Sequence, residues 1–178
     1  MARNFAQRFN RIYGTEFFKL PVAYNFGKQL VKIPGLDGST KMSKSDNETS
    51  CIYLSDDPAV IRKKVMKAVS DAGPTEPNQP KAQPIENLFS LMAAVSAPDT
   101  LAYFEEKYNT CQIRYGDMKK QLAEDMVNFT APIYEKIQEL RNNDEYVARV
   151  ARQGAEKARE SADKTVNMVR EIIGIKHF

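Results

Sequence analysis

Two lysines separated by a methionine and a serine form the part of this sequence best suited to chemistry. They belong to a segment that we call the lysine loop: Lys41, Met42, Ser43, Lys44 and Ser45. Four residues that favour turns precede it: Pro34, Gly35, Asp37 and Gly38. An irregular loop able to close over a ligand is therefore predicted. Its ammonium groups suit phosphate oxygens, and its serine hydroxyls suit backbone amides or an anion. A solvated basic turn is the alternative interpretation.

The composition limits what such a loop can belong to. The 178-residue chain is long enough for one ordinary domain or slightly more, with 42% hydrophobic and 28% charged residues. Its formal charge of +3 permits a polyanionic partner without requiring one. Cys51 and Cys111 form no Cys-x-x-Cys motif, which indicates buried or half-buried free thiols in a reducing compartment. His177 is the only histidine, so neither a histidine metal site nor a Cys–His pair is predicted.

The sequence shows neither a membrane-spanning segment nor a signal peptide. No apolar run approaches the ~20 residues of a membrane span, and the N-terminal sequence lacks the apolar core of a signal peptide. A cytoplasmic protein with no membrane association and no metal ligands is therefore predicted.

The first third of the chain mixes helix with short apolar runs. Helical spacing predicts a helix over residues 3–13, ended by Gly14. The apolar runs at 17–22, 30–33 and 51–54 are bounded by turn residues and predict short strands.

Beyond residue 56 the pattern is helical, apart from a proline-rich connector at 73–84. Helix starts are predicted at Asp57-Pro58, at Pro84, at Pro98-Asp99, at Asp117 and at 142–144, and Gly174 is predicted to end the last helix. The apolar stripes of these helices, including small residues along the last ones, are predicted to be buried.

Two groups of cations are candidates for nucleic-acid contact. The first lies on the helix after Asp57: Arg62, Lys63, Lys64 and Lys67. No acidic residue falls between positions 58 and 70, so these charges are predicted to be uncompensated. The second group lies near the C-terminus: Arg149, Arg152, Lys157 and Arg159. For both groups an ordinary solvated face is the alternative, with Glu156 and Glu160 as pairing partners for the second.

The lysine loop resembles the Lys-Met-Ser-Lys-Ser signature of class I aminoacyl-tRNA synthetases. Residues 6–10 followed by Tyr13-Gly14, residues 41–46, and residues 154–158 followed by Ala162, Thr165 and Ile173-Gly174 resemble tryptophan–tRNA ligases in particular. Tyrosine–tRNA ligases are the nearest relatives, and the helical C-terminal part favours tryptophan. The resemblance implies a mostly α fold. Residues 1–56 would be the last part of a Rossmann-like catalytic domain with short strands, and residues 57–178 an α-helical tRNA-binding domain of the anticodon-binding type.

The resemblance also implies a reaction. Tryptophan would attack the α-phosphate of ATP, with Mg²⁺ accompanying the nucleotide, and the adenylate would then pass to tRNA(Trp). Lys41 and Lys44 would be catalytic on the pyrophosphate side. Met42, Ser43 and Ser45 would complete the ATP-binding loop, with the backbone near Met42 close to adenine. The enzyme would be a homodimer.

One family feature is missing. Class I enzymes carry a His-x-Gly-His signature upstream of the lysine loop, and the single histidine here is His177. The sequence is therefore expected to be the C-terminal half of a synthetase and inactive by itself. A tyrosine–tRNA ligase relative, a helical RNA-binding module and a non-catalytic remnant that kept the fold are the alternatives.

Overall fold

The computed structural model describes residues 1–24, 32–39, 41–43 and 48–175. Regular structure in these residues is entirely helical, with one short 3-10 helix at Glu48–Ser50. The six α-helices of the described residues are α1 (Ala2–Tyr13), α2 (Pro58–Met66), α3 (Gln83–Val95), α4 (Pro98–Asn109), α5 (Tyr115–Arg141) and α6 (Asp144–Ile173). The mostly helical fold class is confirmed. No helix of the described residues combines the length and hydropathy needed to cross a membrane.

Short-range rules located several helix ends correctly. Gly14 ends α1 in the left-handed conformation, with φ 59° and ψ 37°, and its N–H donates to the carbonyl of Asn10. The side chain of Asp57 caps α2 by accepting a hydrogen bond of 2.8 Å from the N–H of Ala59. Gly174 ends α6, again with positive φ. These features depend on neighbours within one turn, so sequence alone predicts them.

The predicted strands are wrong wherever the structure describes them. Residues 17–22, 32–33 and 51–54 form no strand, and residues 30 and 31 lie outside the described part. A strand needs a neighbouring backbone to bond with. After α1 the bonds go instead to a side chain: the Asn10 amide donates to the Phe18 carbonyl at 2.8 Å and accepts from the Phe18 N–H at 3.1 Å.

Two helical predictions also need correction. α5 begins at Tyr115 rather than behind a cap at Asp117, because the Arg114 carbonyl already accepts hydrogen bonds from the N–H groups of Asp117 and Met118. Several C-terminal helices were expected, but Asp144–Ile173 is one continuous helix. Gly154 does not interrupt it, since a single glycine inside a helix costs only about 1 kcal/mol relative to alanine.

The chain groups into two compact units, Met1–Lys28 with Asn143–Phe178, and Gln29–Asn142. The second unit holds the hydrophobic core, to which α2, α3, α4 and α5 contribute residues of the predicted stripes, among them Ile61, Leu88, Phe104 and Leu122. Burial of the α5 stripe is confirmed only for its first half, since Phe129 and Ile133 are exposed. In the first unit α6 has no buried residue, so the burial predicted for its stripe is wrong. An apolar pattern marks the side of a helix that could pack, not the presence of a partner.

The predicted domain boundary at residue 57 does not follow this grouping into two units and stays a prediction.

Candidate functional site

The residues before the lysine loop are fixed to the core of the second unit. Leu36 is only 3% exposed and belongs to the core cluster. Its N–H donates to the Ser50 carbonyl at 3.0 Å, and its own carbonyl accepts from the Val69 N–H at 2.8 Å. The approach to the loop is therefore held between the 3-10 helix and the residues that follow α2.

A tight turn follows Leu36. The Gly35 N–H donates to the Ser39 carbonyl at 3.0 Å, and the Ser39 N–H donates to Asp37 Oδ1 at 3.0 Å. Bonding by the side chain and the backbone of Ser39 lowers the pKa of Asp37. Gly38 has φ 87°, and a Cβ there would lie 3.1 Å from Pro84 Cγ. The turn therefore requires the small residue that the sequence places at this position.

The turn rests on a buried asparagine of α3. Asn87 is 3% exposed, and its Nδ2 donates to the carbonyls of Gly35 and Ser39 at 3.2 and 2.8 Å. Its Oδ1 accepts from Gln83 Nε2 at 2.9 Å. Sequence reasoning missed this residue, although one signal was available: Asn87 interrupts the apolar stripe that includes Leu88 and Leu91.

The structure describes three residues of the lysine loop. Lys41 is exposed, and no ion pair holds its ammonium group within the described ranges. Met42 is half-buried against the core, and its N–H donates to the Ile33 carbonyl at 2.6 Å. Ser43 is half-buried. The predicted site residues Lys44 and Ser45 lie outside the described part of the chain.

The cations of α2 are only partly free. Arg62 makes a two-pronged contact with Glu124, with nitrogen–oxygen distances of 2.7 and 2.8 Å, and this bond raises the pKa of Arg62 and lowers that of Glu124. Lys64 pairs with Asp56 at 2.7 Å and donates to the Cys51 carbonyl at 2.9 Å. The prediction of four uncompensated cations is wrong for these two, because their partners lie outside α2.

Lys63 and Lys67 are exposed and make no ion pair with any described residue. Among the described residues, they are therefore the two cations of the first predicted group that remain available to an anionic partner.

The second group of predicted cations lies on α6. All four are exposed: Arg149, Arg152, Lys157 and Arg159. Arg149 lies 5.3 Å from the centre of the Tyr146 ring. Within the described residues none of the four pairs with Glu156 or Glu160, so the alternative of local ion pairs is not seen. The group is available to an anionic partner.

Comparison with known proteins assigns the family. The sequence profile of the tRNA synthetases class I (W and Y) matches residues 1–131. The chain belongs to this family of class I tRNA synthetases, as the lysine loop indicated.

Within this family, the chain is similar to tryptophan–tRNA ligases. The chain is 53% identical over 176 residues to the tryptophan–tRNA ligase of Porphyromonas gingivalis, covering 99% of this chain and 53% of that protein. It is 33% identical over 175 residues to the same ligase of Fusobacterium nucleatum, covering 98% and 52%. The tryptophanyl-tRNA synthetase of Campylobacter jejuni, solved with ADP and tryptophan, matches with a TM-score of 0.71 at 25% identity, covering 97% of this chain and 52% of that one. The chain thus spans about half the length of these relatives.

Proposed function

We propose that this chain contributes the lysine loop to a tryptophan–tRNA ligase, which activates tryptophan with ATP and transfers it to tRNA(Trp). The observation that carries the proposal is the family signature at 41–45, which starts with the exposed Lys41 directly after a turn fixed to the core. Relatives named for tryptophan favour that substrate over tyrosine. The solved relative that holds ADP and tryptophan supports ATP and tryptophan as the ligands.

The chemistry follows from where charge develops. The tryptophan carboxylate attacks the α-phosphorus, and the bond from that phosphorus to the bridging oxygen breaks with its electron pair going to pyrophosphate. Lys41 and Lys44 would meet the oxygens that gain this charge, so they stabilise the transition state more than bound ATP. Met42, Ser43 and Ser45 would contact the nucleotide through backbone and hydroxyl groups.

Magnesium would come with ATP and offset its negative charge. No group of three or more His, Cys, Asp or Glu in the described residues is placed to hold a metal ion. None of the steps above depends on a metal ion held by the described residues.

The wider assignment rests on the family resemblance. Residues 1–56 would complete the Rossmann-like catalytic domain, and residues 57–178 would carry the tRNA-binding surface of the anticodon-binding type. The assembled enzyme would be a cytoplasmic homodimer. A non-catalytic RNA-binding module remains the alternative, favoured by the exposed cations of α6.

We expect the chain alone not to form tryptophanyl adenylate, because its sequence lacks the His-x-Gly-His signature that contacts ATP in this family. The measurement is tryptophan-dependent ATP–pyrophosphate exchange on the purified chain. The positive control is a full-length protein, here called the chimera, in which this chain replaces the matching segment of the Porphyromonas gingivalis ligase. Clear tryptophan-dependent exchange by the chain alone would contradict this expectation. An inactive chimera would contradict the proposed function.

We expect the α6 cations to contact tRNA phosphates. In the chimera, Arg152→Ala and Lys157→Ala should each weaken tRNA(Trp) binding and lower the slope of log affinity against log salt by about one unit, since each phosphate contact releases roughly one counterion. Lys120→Ala, which removes an exposed lysine of α5, is the matched control. Slopes for the two α6 variants that equal the control's would assign these residues to ordinary surface charge.

A further inference from the structure

We propose that Asn87 is a positioning residue for the lysine loop: its buried side-chain amide holds the turn before the loop so that Lys41 reaches the phosphates of ATP. This inference rests on the proposed function. It adds a residue that lies outside the signature and does not touch the substrate.

Asn87 joins two parts of the chain that are distant in sequence. Its Nδ2 donates to the carbonyl of Gly35, 52 residues away, and to that of Ser39, 48 residues away. Both hydrogens of one amide group are thus used on the two ends of the same turn. Gln83 Nε2 occupies Oδ1 and fixes which side of the amide faces the turn.

Burial makes this contact decisive for the loop. Gly35 is buried and Ser39 is half-buried, so water has little access to the two carbonyls. Without the amide, a buried carbonyl would lose its partner, which is unfavourable unless the turn opens toward solvent. Leu36 remains held by its bonds to Ser50 and Val69 and by the core. The expected response is a local opening of the turn around a fixed Leu36.

An opening of the turn would also displace Lys41. Ser39 lies two residues before Lys41, and its Oγ donates to the Lys41 carbonyl at 3.3 Å. The Met42 N–H returns to Ile33 on the other side of the turn at 2.6 Å. Because these bonds link the turn to the start of the loop, a shift of Ser39 displaces Lys41. Misplacement of about 1 Å at a reacting group can reduce a rate by roughly 100-fold.

The first test measures catalysis in the chimera. Asn87→Asp keeps the size of the side chain but replaces the donating NH₂ by an oxygen that faces two carbonyls. We expect adenylate formation to slow by about 10- to 100-fold, with tryptophan affinity unchanged. Gln83→Ala, at an exposed position, should act in the same direction with a smaller effect and no loss of folding. Ile85→Val, a buried apolar change on the same helix that removes no hydrogen bond, is the control for stability alone.

The second test asks whether Asn87 acts through the lysine. In the Lys41→Ala chimera, Asn87→Asp should slow adenylate formation by a smaller factor than in the unsubstituted chimera, because part of what it positions is already gone. A merely structural asparagine would give the same factor in both backgrounds, which would overturn the inference.

The third test needs no activity. In the chain alone, Asn87→Asp should speed amide hydrogen exchange at Gly35 and Met42 by at least about 10-fold while residues 118–127 of α5 keep their protection. Unchanged exchange at the turn would overturn the inference.

The outcomes separate the two proposals. If Lys41→Ala leaves the rate of adenylate formation unchanged, the proposed function fails, and the positioning role of Asn87 fails with it. If Lys41→Ala is slow and both Asn87→Asp and Gln83→Ala are normal, the inference about Asn87 fails alone.

Discussion

Lys41→Ala or Lys44→Ala in the chimera should reduce the rate of adenylate formation by a factor that corresponds to about 2–4 kcal/mol of transition-state stabilisation. That is roughly a 30- to 1000-fold slower step. Tryptophan affinity should change little, since the lysines are proposed to act on phosphates. An exposed ammonium group such as that of Lys41 is well suited to this role, because negative charge on the leaving pyrophosphate grows only as the bond breaks.

Pre-steady-state measurement of adenylate formation, with separate titration of tryptophan, checks this prediction. Lys63→Ala is the matched control, since Lys63 is also exposed and makes no ion pair in the described residues. We expect the control to keep the normal rate. If either loop variant kept the normal rate and bound tryptophan more weakly, the loop would serve the amino acid rather than the phosphates.

Features that depend on nearby residues were predictable from sequence. The helix ends at Gly14, Asp57 and Gly174 follow from glycine's tolerance of positive φ and from a carboxylate cap. The buried stripes of α2 to α4 and of the first half of α5 follow from helical spacing. The lysine loop was recognised as a contiguous signature, so its family assignment required no knowledge of the fold.

Features that depend on distant residues were not predictable. Arg62 and Glu124 are 62 residues apart, so the charge of α2 could not be assessed from its own sequence. The apolar run at 17–22 has the composition of a strand, but its backbone bonds to Asn10 and not to another strand. The same limit hid Asn87, whose importance lies in two carbonyls about 50 residues earlier. In each case the deciding partner is set by the tertiary fold.

At Leu36, a segment predictable from local sequence makes a tertiary contact that is not. Leu36 belongs to the turn-rich approach to the lysine loop, which the sequence predicts to be irregular, yet the structure places it in the core. The approach to the lysine loop is therefore held by a hydrophobic contact. Its stability and that of the second unit should depend on the same side chain.

Leu36→Ala should lower the free energy of unfolding by about 2–5 kcal/mol, the range for removing a buried leucine side chain and leaving a cavity. Leu54→Ala is the matched control, because Leu54 lies in the same unit and is 50% exposed, so its loss should fall within about 0.5 kcal/mol of zero. Since the chain contains no tryptophan, urea unfolding is best followed by far-UV circular dichroism. Equal losses in the two variants would mean that Leu36 is not held in the core in solution, and that the lysine loop has no fixed base there.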